Sequence, residues 1–96
     1  MTLTEFRASL SQAAPPADSA MALQTLWWEA KGDWDRAHAC AQRDEGAAGA
    51  IVHAYLHRKE GDLANAGYWY RRAGRPVFSG PLEAEWTALA EEMLAG

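Results

Sequence analysis

The stretch Gly61-Asp62-Leu63-Ala64-Asn65-Ala66-Gly67-Tyr68-Trp69-Tyr70-Arg71-Arg72-Ala73-Gly74 decides the fold. A glycine that can turn left-handed stops one helix, and the aspartate directly after it can cap the next. Leu63, Ala66, Tyr70 and Ala73 then recur at spacings of three and four, the period of a helix with one apolar face. The same punctuation stands 29 positions earlier in Gly32-Asp33-Trp34 with Ala37. Each unit reads as a helical hairpin. Glycine makes the corner, aspartate caps the outgoing helix, the apolar residue fills the gap beside the turn and alanine lets the helices touch.

Working outward, prolines occur only at 15, 16, 76 and 81, which leaves the centre of the chain free of helix breakers. The first hairpin is expected over 18–44, with Asp18 or Ser19 as its cap, and the second over 46–74, led by a helix from Ala47 to Glu60. Thr2-Leu3-Thr4-Glu5 has the form of a capping box, so residues 1–16 hold a short helix and an extended Pro15-Pro16 linker. Pro81 suits the first position of a last helix over 81–95, whose Leu82, Trp86, Leu89 and Met93 form an apolar stripe. No segment alternates with period two. The expectation is a single all-α domain over 1–96 of about six helices, two hairpins flanked by N- and C-terminal capping helices.

Composition bounds the function. Hydrophobic residues are 49% and charged residues 23%, values of a chain that folds rather than one that stays disordered. A net charge of -4 with a pI near 5.2 argues against binding nucleic acid through its phosphates. One cysteine makes no internal disulfide, the start Met1–Arg7 has no secretory pattern, and no apolar run nears the roughly 18 residues of a membrane span. A cytoplasmic protein without membrane contact is expected. Five tryptophans among many alanines suit helices that close at alanine and fill the remaining space with large rings.

Gly61, Leu63, Ala66, Tyr70 and Ala73 match the second helix of tetratricopeptide repeats, and Gly32, Trp34 and Ala37 match its first half; over about 19–73 the chain resembles that family. Its spacing of 29 is shorter than the family's 34 or so, and His53 and His57 stand where the family has leucine and tyrosine. The run from His53 to Gly74 also resembles small bacterial proteins without an assigned activity. What the tetratricopeptide resemblance implies is a concave groove that falls here on Ile51, Tyr55, Arg58 and Lys59, with Ala22, Leu26 and Glu29 opposite. Two cations beside a ring suit an acidic peptide or a chain-terminal carboxylate. On that reading Arg58 and Lys59 are surface residues, and reversing both charges abolishes capture without changing the melting temperature. An acidic last helix folding back onto the basic residues as an internal ligand is the opposing expectation.

Three further features carry possible chemistry. His53, His57 and Glu60 share one face of a helix at metal-site spacing, with His38 the only other histidine; the plainer expectation is hydrogen bonding to Asp62, Asn65 or a tyrosine. Tyr68, Trp69 and Tyr70 point about 100° apart and cannot share one core. Tyr70 continues the apolar line, whereas Trp69 sits with Asn65 and Arg72 on a polar face that could recognise a partner or simply pack on the last helix. Five of nine basic residues, Arg58, Lys59, Arg71, Arg72 and Arg75, precede an acidic last helix carrying Glu83, Glu85, Glu91 and Glu92. They can form an anion site or pair internally. Neither a nucleophile elbow nor a glycine-rich phosphate loop occurs, and no cofactor is expected.

Three functions fit. The leading one is a non-enzymatic interaction module that binds a peptide or partner protein. A metal- or small-molecule-dependent enzyme using His53, His57 and Glu60, with Arg72 as anion clamp, is the second. The third is a homodimer joined through the aromatic surface, because two hairpins are fewer than the three or so repeats a solenoid needs.

Overall fold

The computed structural model describes all 96 residues and contains six α-helices and no strand: α1 Leu3–Ala8, continued by a tight turn at Ser9–Ser11, α2 Met21–Ala30, α3 Trp34–Arg43, α4 Ala47–Glu60, α5 Leu63–Ala73 and α6 Leu82–Ala95. The chain is all-α. The closest neighbours along the chain are also neighbours in space, α2 with α3 and α4 with α5, and α6 lies across both α2 and α4.

The two Gly-Asp corners form as local chemistry dictates. Gly32 and Gly61 stand at φ of +84° and +88°, and Asp33 and Asp62 accept the backbone N–H of Arg36 and Asn65 at 3.1 Å each. Thr2 and Glu5 close the capping box that opens α1. The start of α2 differs from expectation. Ala20 is the cap residue, without side-chain help, because Ser19 turns its hydroxyl back to the Pro16 carbonyl at 2.7 Å and Asp18 sits at φ +64° in the turn. Leu63, expected to fill the corner, is 69% exposed.

One core joins the helices. Leu26 and Trp27 of α2, Val52, Ala54 and Leu56 of α4 and Ala90 of α6 are fully buried, and Phe6 of α1 stacks on Trp86 with centroids 5.9 Å apart. Two indoles bridge distant segments. Trp27 donates to the Ser9 hydroxyl and Trp86 to the Leu26 carbonyl, each at 3.0 Å, so the large rings meet their polar needs as they fill space.

That core occupies the expected groove. Ile51 and Tyr55 are 3% and 2% exposed, and Ala22, Leu26 and Glu29 opposite them are buried too. Much of the surface assigned to ligand contact is thus buried against α2 and α6, while Lys59 stays exposed at its edge. No helix is long and apolar enough to cross a membrane.

Candidate functional site

The basic residues of α4 are spent internally. Arg58 donates to the buried carboxylate of Glu85 at 3.0 Å and to the Gly80 carbonyl, and Tyr70 donates its hydroxyl to the same carboxylate. Lys59 pairs with Glu29, which also accepts from the Tyr55 hydroxyl at 3.2 Å. Each buried carboxylate thus meets one cation and one phenol, one on each of its oxygens. Burial pushes the Tyr55 phenol up to about 12 and raises that of Tyr70, with the hydrogen bond to Glu85 adding to the second, so both remain neutral donors. Arg75 forms a forked pair with Glu92. The acidic last helix therefore takes two of the five cations, Arg58 and Arg75, and α2 takes Lys59. Arg58, buried to 16% side-chain exposure, is not the surface residue the sequence suggested.

What this leaves open lies on the other side of α4. His53 and His57 are one turn apart on α4, and α3 brings His38 against them. The Nε2 atoms of His38 and His53 lie 2.9 Å apart, and His57 Nδ1 is 2.6 Å from Glu60 Oε1. The expected partners Asp62, Asn65 and tyrosine are thus replaced by His38 and Glu60. Two indoles wall the cluster: Trp69 stacks on His53 at 3.9 Å between centroids and Trp34 on His38 at 4.6 Å. His53 and His57 are nearly parallel at 4.9 Å. The Trp34 indole N–H is buried without a partner.

Burial sets the charge state of this cluster. Desolvation, reinforced by His38 and His57, brings His53 down to about 4, and desolvation with the nearby His57 lowers His38 as well. Both rings are neutral near pH 7. A hydrogen bond between two neutral imidazoles needs one donor and one acceptor, so His38 and His53 must hold complementary tautomers.

A cleft of about 570 Å³ opens beside the cluster, lined by Gln42, Asp44 and Glu45 at the end of α3, Gly46 and Ala47 at the start of α4, and by His53, Trp69 and Arg72. Arg72 has no carboxylate partner. Its guanidinium stands 5.1 Å from the Trp69 ring centre and 5.8 Å from that of Tyr68 and donates to the Tyr68 hydroxyl at 3.3 Å, so aromatic side chains hold it in place of an ion pair. Trp69 therefore packs on α4 through His53 and also lines the cleft. Asn65 stands one turn before Trp69 on α5, half-buried, with its backbone bound to Asp62. Of the expected binding residues, Trp69 and Arg72 share this cleft, whereas Arg58 lies in the packing with α6, and Tyr55 and Lys59, both bonded to Glu29, border a second cleft of about 540 Å³ beside Trp86.

Two groups of side chains have metal-ligand spacing. In the first, one nitrogen each of His38, His53 and His57 lie within 4.8 Å of one another; the second joins His57 with Glu60 and Asp62 at the corner. Asp62 already caps α5. The Trp34-Ala37-His38-Ala41 stripe on α3 was the sequence signal that could have brought His38 to the other two, because the face that packs on α4 carries its histidine with it. Comparison of the chain with models of known protein families, with curated proteins and with solved structures finds no match.

Proposed function

We propose that this chain is a small interaction module of paired helical hairpins, akin to tetratricopeptide repeats, that binds a segment of a partner protein in the cleft between α3, α4 and α5. The observation that carries this reading is Arg72, a cation without an ion pair, stacked on Trp69 and Tyr68 beside a cleft of suitable size. Arginine held over aromatic rings is preorganised for a planar carboxylate, and a rigid indole offers contact area at small entropic cost. Asp44 and Glu45 on the opposite wall add the opposite charge. The cleft is thus bipolar, and an extended peptide that presents a carboxylate to Arg72 and a cation to the acidic wall fits it best.

An array of short peptides of varied charge tests this with purified protein. Mixed-charge peptides containing an Asp, a Glu or a free C-terminus are expected to bind, and Arg72→Glu to weaken them by about tenfold or more, the loss of one charge-assisted contact. Because Arg72 is exposed, its melting curve should stay with the parent. Binding that is indifferent to Arg72→Glu, or that instead follows substitutions on α6, refutes the cleft as the site.

A further inference from the structure

We propose that His38, His53 and His57 together bind one divalent transition-metal ion of the zinc class, with Glu60 orienting His57. This assignment is independent of the partner reading. It starts from placement. The two α4 histidines are four residues apart, which puts both rings on one face, and α3 contributes the third ring from the facing helix. The three nitrogens lie within 4.8 Å of one another. A tetrahedral zinc ion with bonds of about 2.0 to 2.1 Å to imidazole holds its ligand nitrogens roughly 3.3 Å apart, so the triangle needs only side-chain adjustment to close on it.

Glu60 supplies the second argument. Its carboxylate stands 2.6 Å from His57 Nδ1, and a proton on that nitrogen places the ring's lone pair on Nε2, where no hydrogen bond competes for it. A carboxylate behind the imidazole is the arrangement that fixes the tautomer and raises the basicity of metal-bound histidine. Glu60 is therefore a positioning residue, in place of the ligand role its spacing suggested.

The third argument is the surroundings. His53 and His57 are 3% and 6% exposed, and Trp34 and Trp69 shield the imidazoles on either side. An all-imidazole set suits zinc, copper, nickel or iron(II) and is a poor match for calcium or magnesium, which favour oxygen. Three protein ligands leave a fourth position, and His53 also borders the cleft, so water or a donor atom from a bound molecule can complete the shell.

The test uses the full chain stripped with chelator and titrated with zinc by calorimetry and with cobalt(II) by visible absorption. One equivalent is expected to bind, cobalt is expected to show the intense bands of a tetrahedral site, and Trp34 and Trp69 fluorescence to fall as cobalt fills it. His38→Gln should remove stoichiometric binding. Should that variant fail to fold, Glu60→Gln decides: its side chain is more than a third exposed, and it should keep the fold while weakening zinc by about 10- to 100-fold. Failure of the parent to bind one equivalent of either metal overturns the assignment, and so does binding that Glu60→Gln leaves unchanged.

Discussion

Arg58→Glu is expected to destabilise the protein by about 3 to 5 kcal/mol, a large part of the total for a domain of this size. The substitution removes the guanidinium from the buried Glu85 carboxylate, strips the Gly80 carbonyl of its donor, and sets a second carboxylate against the first. Urea melts would record the loss as a lower midpoint with the slope retained. Combining Arg58→Met with Glu85→Gln removes both charges while leaving Tyr70 an acceptor, and is expected to recover to within about 1 to 2 kcal/mol of the parent, since an ion pair and an uncharged replacement often balance. If Arg58→Glu melts with the parent, α6 is not docked on α4 as described. The double charge reversal of Arg58 and Lys59 was expected from sequence to leave stability untouched. It falls instead on the two residues that hold α6 and α2 to the centre of the fold.

Gly49→Ala is the second large effect, and its sign runs against helix propensity. Gly49 lies in the first turn of α4, where alanine would ordinarily gain up to about 1 kcal/mol. Here a Cβ would stand 1.9 Å from the backbone oxygen of Asp44, an overlap that only movement of the chain can relieve. A net loss of about 1 to 3 kcal/mol is expected from that overpacking. Gly67 on α5 is the control: a Cβ there meets nothing nearer than the Arg71 guanidinium at 3.5 Å, and Gly67→Ala should gain about 0.5 to 1 kcal/mol. Thermal melts of the two variants should move in opposite directions. A stabilised Gly49→Ala would mean that the α3–α4 loop, and with it the Asp44 wall of the cleft, is placed otherwise.

The corners show what was legible in the sequence. Gly32-Asp33 and Gly61-Asp62 encode a left-handed stop and a cap within two adjacent residues, and their hydrogen bonds reach no further than five positions. Local chemistry decides there. The end of α4 follows from the Gly61 stop, and the core place of Tyr70 from its spacing with Ala66 and Ala73. At Asp18 and Ser19 two capping residues stood side by side, and the Pro16 carbonyl took the hydroxyl that α2 was expected to use. The fate of Arg58 and Lys59 was beyond such reasoning. Their partners stand 27 and 30 residues away, and a cation looks the same in sequence whether it faces water or a buried carboxylate. The histidine cluster lay between these cases. His53 and His57 announce themselves by spacing, while His38 joins them only because α3 packs its Trp34-Ala37-His38 stripe against α4.

The packing of three imidazoles between two indoles is measured most directly by a histidine-detected nitrogen NMR titration of the metal-free protein. His38 and His53 should show complementary neutral tautomers, with His57 protonated on Nδ1 towards Glu60. His53 should stay neutral until the pH falls to about 4. Because the unfolded chain takes up that proton near 6.5 and the folded one only near 4, stability should be complete above about 6.5 and fall as the pH drops from there towards 4. His38 and His53 titrating independently near 6.5, each in the tautomer free histidine prefers, would contradict the cluster.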